Sequence, residues 1–518
     1  MLESPNQRSR CRIRNMVPPV QMVTMPSDES LHIVLFPFPG QGHFAAFLSL
    51  AGHLHRARSS ATITLVSTPC NVDALRASSS AAAAPFLQFH ALPFVPEEHG
   101  LPAGAESTDA VHIHHFLALF EATESPALRA AFDGFVAGAA CAGADGAQVC
   151  IVVVADPFLA WTTVVARRRG ARHAFFDSCG AFGSVVYHSL WNHLPHLRTG
   201  GDAFCLPDHP EVTVHRSQLP RFLLAADGTD RWSAFHRRQI SLGYDTDALL
   251  VNTTEEFEPA GLRMLRRTID VPVWPIGPLV RLPAQRSNNP DRDCDRIMRW
   301  LDGHEARSVL YISFGSQNSV RLEQMMELAA ALEFTGRPFI WAIRPPVGFD
   351  NHNAGAFRAD RWLPEGFEAR VRANDTGLLV HGWAPQLSIL AHASTGAFLS
   401  HCGWNSVLES VKQGVPIIGW PLQADQFFNC KMLGEWGACV EVARGNDEGS
   451  SVVERATLAE AVETVMGGAA KGSEVRRRMK EIQELVTGAQ SECGGSSVEA
   501  SEEFFASMLH GTAAGNEC

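Results

Sequence analysis

Apolar and polar positions along the chain alternate between short solid runs and longer amphipathic stretches. Leu31–Pro37 (LHIVLFP) is a short, mostly apolar run closed by a Pro-Gly turn, the pattern of a buried strand. A helical pattern covers Phe44–His55, ATITLVS at 61–67 reads as a second strand, and the alternation continues through Val149–Ala155 (VCIVVVA). Such alternation predicts a doubly wound domain on a parallel sheet. It breaks at 271–293 (VPVWPIGPLVRLPAQRSNNPDRD), where Pro, Asn and Arg predict an interdomain linker. A second series follows: SVLYISFGS, a helix over Arg321–Glu333, PFIWAIR, GLLVHGW, STGAFLSH, VPIIGWP and a polar helical stretch Val475–Thr487.

The expected fold class is therefore α/β, with two Rossmann-like domains facing across a cleft. Ligands in such sheets sit at the carboxyl ends of the strands, against helix N-termini. The expected bounds are 30–270 for the N-terminal domain, 271–293 for the linker and 294–490 for the C-terminal domain. GGSSVEASEEFFASMLHG predicts a last helix with a capping box from Ser496 to Glu499 and a stop at Gly511. With its tail it fills 491–518 and is expected to pack back on the N-terminal domain. The Ala/Ser run Ala77–Ala84 and the stretch Gly348–Gly355 read as loops or fraying helix ends. Residues 1–29 hold four arginines but no apolar core, so they are no secretory signal. Glu3 and the prolines weaken a transit-peptide reading, which leaves a disordered extension, with Met25 as an alternative start.

Composition narrows the function only coarsely. The 518 residues are 46% apolar, ample for a core, and suit two to four domains. Forty-three Lys+Arg against 55 Asp+Glu give a net charge of −12, which argues against nucleic-acid binding and against a polybasic lipid contact. No run of about 18 apolar residues is present, so no membrane span is expected. Twelve scattered cysteines without a CxxC pair read as reduced thiols in a cytoplasmic protein.

Three places can carry chemistry. Pro39-Gly40-Gln41-Gly42-His43 joins a strand to a helix, and its glycines let the backbone turn and approach a ligand. It approximates a dinucleotide fingerprint, but the next strand ends Leu65-Val66-Ser67-Thr68 without the ribose-binding acid, so a nicotinamide oxidoreductase is discounted. His43 either caps and packs there or is a general base, neutral because a positive helix end disfavours the imidazolium. Asp156, just past Val149–Ala155, either caps a helix that starts at Pro157 or orients His43. The third place is Trp383–Gln426. A strand over Gly396–Ser400 meets a turn at His401-Cys402-Gly403, then a helix over Trp404–Gln413 that stops at Gly414, then a strand over Val415–Trp420. The helix start offers N–H groups, Asn405, Ser406 and His401 to an anion such as a diphosphate. Glu409 can reach a ribose diol, Trp383 can stack on a base, and Asp425-Gln426 suit sugar hydroxyls.

These 44 residues resemble the signature box of plant secondary-product UDP-glycosyltransferases, and FPFPGQGH, VVVADPF, VNTTEEFEP, WPIGPL, VLYISFGS and WAIR are similar to that family in order and kind. The resemblance runs from Leu31 to the C-terminus. It implies the glycosyltransferase B fold, with the acceptor in the N-terminal domain and the UDP-sugar in the C-terminal one. It implies His43 as catalytic base and Asp156 as its partner. Trp383, with Ala384 and Gln386, would hold uracil. Ser316, His401, Asn405 and Ser406 would hold the diphosphate, and Glu409 the ribose. Trp404, Asp425 and Gln426 would contact the sugar, the last being associated with glucose. The chain departs from the family in its long N-terminal extension and at Asp177-Ser178, where a Thr or Ser touching the sugar is often found.

The function expected is inverting transfer of glucose from UDP-glucose to a hydroxyl or carboxyl of a small apolar plant metabolite or hormone, by a monomer and without a metal. The alternative is a nucleotide-sugar-binding protein without catalysis. His112, His114 and His115 (HIHH) lack the framing acid or cysteine of a metal site and read as surface or pocket rim. Phe116, Phe120, Phe175 and Phe182 read mainly as core, with a few able to line an apolar pocket.

Overall fold

The computed structural model describes residues 30–78, 84–141, 149–280, 292–347, 357–445 and 450–510. The expected extension 1–29 and the stretch Gly348–Gly355 lie outside them, as do 79–83 of the Ala/Ser run and 511–518 of the tail.

The first sheet holds β1 (Ser30–Phe36), β2 (Thr62–Ser67), β3 (Leu87–Ala91), β4 (Val149–Ala155), β5 (Arg172–Asp177), β8 (Ala248–Val251) and β9 (Val273–Pro275). Its order is β3-β2-β1-β4-β5-β8-β9, with all six neighbouring pairs parallel. A small antiparallel hairpin, β6 (Ala203–Cys205) with β7 (Thr213–His215), is inserted between β5 and β8. The second sheet holds β10 (Val309–Ser313), β11 (Phe339–Ala342), β12 (Gly377–Val380), β13 (Thr395–Ser400), β14 (Ile417–Gly419) and β15 (Cys439–Glu441), in the order β12-β11-β10-β13-β14-β15, again parallel. The central strands β4 and β10 are solid apolar runs because helices cover both faces of each parallel sheet. Val152–Ala155 and Val309–Ile312 are each 3% exposed or less.

Strand order reverses between β1 and β4 in one sheet and between β10 and β13 in the other. Crossover connections diverge at such points and leave a crevice beyond the strand ends. Phe36 pairs with Ala155 and Ser313 with Ser400, so the loops that follow leave each sheet level with one another. Those four loops carry Asp156, Ser316 and His401 and lead into the helix turn that carries His43.

The stretch expected as a linker is not one throughout. Residues 273–275 form the edge strand β9, with Val273 and Trp274 only 7% and 8% exposed. Proline misled the pattern: on a sheet edge it removes no ladder bond that a neighbour needs. The last helix, Ser496–His510, covers that edge. Phe504 and Phe505 join the core around β1, Trp274 Nε1 donates to Glu503 and Ser497 Oγ donates to Gly277 O (2.6 Å). Ser496 is its first residue and gives its hydroxyl to Glu256 (2.9 Å), so it does not stand in the cap position expected of it.

Candidate active site

His43 lies in the first turn of the Gln41–Ala57 helix, capped by extended Gly40. A Cβ on Gly40 would stand 2.8 Å from Thr108 Oγ1, so the close approach requires glycine. Asp156 makes both of the contacts expected of it. Its Oδ1 accepts the Phe158 N–H (3.0 Å) as a cap, and its Oδ2 lies 2.6 Å from His43 Nδ1. The carboxylate fixes the proton on Nδ1 and leaves Nε2 as the basic nitrogen. Asp156 is 1% exposed, while a quarter of the His43 side chain remains accessible.

The electrostatics of His43 differ from expectation. Burial pushes its pKa down, but the Asp156 charge and hydrogen bond, with Asp425 and Asp177, outweigh this and raise it above 6.5. The carboxylates around the ring override the helix end. Asp177 is the contributor that motif reading treated as a mere departure. Burial lifts its pKa to about 6 although it accepts bonds from Ser184 Oγ and Cys179 N. It ends β5 next to Asp156 at the end of β4, so the strand-end rule would have found it.

Beside His43 stands an aromatic wall. Phe38 and Phe158 have ring centroids 5.4 and 5.9 Å from the imidazole, and Phe120 packs on both. Beyond Phe158, Tyr187 bonds His236, which burial holds neutral with a pKa of about 3. Of the phenylalanines singled out from sequence, Phe120 joins this wall, whereas Phe175 and Phe182 are core. His112 and His114 share a short ring-nitrogen contact (2.6 Å) on the exposed surface.

On the C-terminal side, Trp383 is 76% exposed and followed by buried Ala384. Gln386 begins the Gln386–Ala391 helix and donates to Ser406 Oγ (3.0 Å) and Glu409 Oε2 (2.8 Å), while Tyr311 donates to its Oε1 (3.2 Å). The helix Trp404–Gln413 ends at Gly414, which adopts φ 69°. The His401 ring is wedged where Cβ atoms on Gly315 or Gly403 would come within 2.6 and 2.5 Å of Nε2. Burial lowers its pKa to about 4, so it is neutral and offers a hydrogen bond, not a charge. A cationic residue that the sequence motifs do not mark, Arg344 beyond β11, donates to the Ser316 carbonyl and lies in the field of Asp109.

The two sides already touch. Asn405 Nδ2 donates to Gly42 O (2.9 Å) and Gln317 Nε2 to Thr108 Oγ1 (2.5 Å). Trp404 is 4% exposed, gives its N–H to Asn252 O (2.8 Å) and stacks on Phe257. Its indole N–H is thus committed to the domain interface. Asp425 accepts from Asn429 Nδ2 (2.8 Å), and burial raises its pKa. Gln426 spends its amide oxygen on the N–H groups of Leu422 and Gln423 (3.0 Å each), a pair of bonds that involves only that end of the amide.

Each domain thus brings its own switch-point strands to one shared cleft, the architecture of glycosyltransferase B folds. A sequence profile of UDP-glucoronosyl and UDP-glucosyl transferases matches residues 252–476. UDP-glycosyltransferase 92A1 of Arabidopsis thaliana is 38% identical over 92% of this chain and 96% of its own. Crocetin glucosyltransferase 3 of Crocus sativus is 42% identical over 82% of this chain and 89% of its own. The solved structure of Glycyrrhiza uralensis UGT73P12 complexed with glycyrrhetinic acid 3-O-monoglucuronide has a TM-score of 0.76 at 27% identity, covering 92% of this chain and 96% of that one. The chain belongs to the plant UDP-glycosyltransferase family and is a hexosyl-transferring enzyme. No helix among the described residues is long and apolar enough to cross a membrane.

Proposed function

We propose that the enzyme transfers glucose from UDP-α-glucose to a hydroxyl or carboxyl of a small, largely apolar plant metabolite, with inversion to the β-glucoside and with no metal taking part in the transfer step. The observation that carries this reading is the His43–Asp156 contact facing the Trp383–Gln426 segment across the cleft. The acceptor O–H gives its proton to His43 Nε2, and Asp156 stabilises the imidazolium that forms. The oxygen attacks the anomeric carbon from the face opposite UDP. The bond from that carbon to the β-phosphate oxygen breaks and its electrons leave with UDP. Charge growing on the diphosphate is met by the N–H groups at the start of Trp404–Gln413, by Asn405 and Ser406, and by Arg344 beside Ser316.

Trp383 stacks on uracil, Gln386 and Glu409 hold the nucleoside, and Asp425 and Gln426 hold the sugar. The identity to a glucosyltransferase supports glucose as the donor sugar. The wall of Phe38, Phe120 and Phe158 supports an apolar acceptor. Both halves of the site come from one chain, which supports a monomer, and the ten cysteines among the described residues, all thiols, suit the cytoplasm. The test is UDP release from UDP-glucose, UDP-galactose and UDP-glucuronate, each with a panel of phenolic, terpenoid and carboxylic acceptors in the presence of a chelator. UDP-glucose should give the highest turnover. Acceptor-independent binding of UDP-glucose with no release would instead indicate a sensor.

A further inference from the structure

Cys402, Cys430 and Cys439 are far apart in purpose and sequence, yet their sulfurs meet. Cys402 lies in the turn after β13, Cys430 in the Gln426–Trp436 helix, and Cys439 opens β15. Their three Sγ atoms all lie within 4.8 Å of one another, with Cys430 and Cys439 3.9 Å apart. All three residues are buried, at 0%, 1% and 7% exposure. The meeting point is the bare face of Gly419, at the end of β14 between them. A Cβ there would stand 2.4, 2.9 and 3.3 Å from the sulfurs of Cys430, Cys439 and Cys402. Any larger residue at 419 would close the space that the three sulfurs share.

We propose that these cysteines bind a thiophilic divalent cation, Zn²⁺, in a structural site separate from the transfer chemistry. In a tetrahedral thiolate site with metal–sulfur bonds of about 2.3 Å, neighbouring sulfurs stand about 3.8 Å apart, which is close to the Cys430–Cys439 separation. The centre of a triangle with edges no longer than 4.8 Å is within about 2.8 Å of each corner, so shifts of a few tenths of an ångström suffice. Glu441 is the nearest carboxylate, with Oε2 3.8 Å from Cys430 Sγ and Arg444 donating to both its oxygens, and it would have to swing towards the other two sulfurs to serve as the fourth ligand. Three thiolates and a carboxylate around Zn²⁺ carry the same net charge as the common four-cysteine site, and Arg444 offsets part of it.

The cation would tie the donor side together. The Cys402 carbonyl accepts Asn429 Nδ2 (3.0 Å), and the same amide bonds Asp425. One ion would therefore clamp the turn that starts the Trp404–Gln413 helix to the helix that carries Asp425 and Gln426. This assignment does not depend on the proposed reaction, because its readout is binding.

The test uses the full reduced chain, stripped with a chelator and titrated with Cd²⁺ alone as a spectroscopic probe. One equivalent should bring up the near-ultraviolet thiolate-to-metal band, Zn²⁺ should displace it, and Cys430→Ser/Cys439→Ser should abolish it. Added Zn²⁺ should raise the Tm of the wild type and not that of the double variant. No band in the wild type, or an equal band in the double variant, overturns the site. If the double variant fails to fold, native mass spectrometry of the wild type decides. Retention of one Zn²⁺ in excess over the single variant Cys439→Ala supports the site, and equal retention refutes it.

Discussion

Replacing Asp156 by Asn isolates the charge on which the proposed base depends. Asn keeps an oxygen to accept the Phe158 N–H, so the local cap survives. It removes the negative charge whose oxygen stands 2.6 Å from His43 Nδ1. Unit charges about 4 Å apart interact by roughly 4 kcal/mol at an effective dielectric near 20. A quarter of the His43 side chain is accessible, so screening reduces this. A loss of about 3–4 kcal/mol in the transition state corresponds to roughly 10²–10³-fold in turnover. The amide also presents N–H to Nδ1, which shifts the imidazole proton to Nε2 and blocks the basic nitrogen. Both effects act in one direction. The assay is UDP release against pH with a phenolic acceptor. A base must be neutral, so wild-type kcat/KM should fall as pH drops through a value above 6.5, the raised pKa of His43. In the variant the residual activity should show that limb at lower pH, with the KM for UDP-glucose within about threefold of wild type. Turnover within tenfold of wild type together with an unmoved acid limb would refute the pairing.

Trp383→Ala should leave the unfolding free energy within about 0.5 kcal/mol, because the ring is 76% exposed, yet weaken UDP binding by about 1–3 kcal/mol, as calorimetry would read. Gly315→Ala should destabilise by about 1–3 kcal/mol in urea unfolding and raise the KM for UDP-glucose, since φ is 82° and the new Cβ meets His401. Glu258 caps the Ala181–His193 helix by accepting the N–H groups of Ala181 and Phe182 (2.9 and 3.0 Å), and burial raises its pKa to about 7. The folded state therefore holds that proton longer than the unfolded chain, so the contribution of Glu258 to stability is full below pH 4.5 and is lost as pH rises towards 7, by on the order of 3 kcal/mol. Asp177, raised to about 6, adds a decline above pH 3.8. In Glu258→Gln the slope of Tm between pH 4.5 and 7 should be shallower than in the wild type.

Much of this arrangement follows from patterns a reader of sequence can see, and the reasons for the remainder are physical. β4 and the Trp404–Gln413 helix fall on their expected residues, because a solid apolar run and a Gly stop are local signals. β9 does not, because its prolines read as loop while its edge position tolerates them. His43 and Asp156 were legible as strand-end and helix-start residues. The direction of the His43 pKa was not, since it depends on three carboxylates brought in from separate strands and loops. Asp177 and Arg344 stand at strand ends, where position alone marks them, but no motif names them. The cysteine cluster could not be read at all. Its members are separated by 28 and 9 positions without metal-site spacing, and only the order β13-β14-β15 brings them to Gly419.

The configuration of the product separates a single displacement from every other course of transfer. Proton NMR of the glucoside formed from UDP-α-glucose by the wild-type enzyme reports the anomeric coupling. A single displacement assisted by His43 predicts the large coupling of a β-glucoside, formed by the wild type and reduced at least 10²-fold in His43→Ala. An α-glucoside, or undiminished β-glucoside from His43→Ala, would rule out a single displacement assisted by His43.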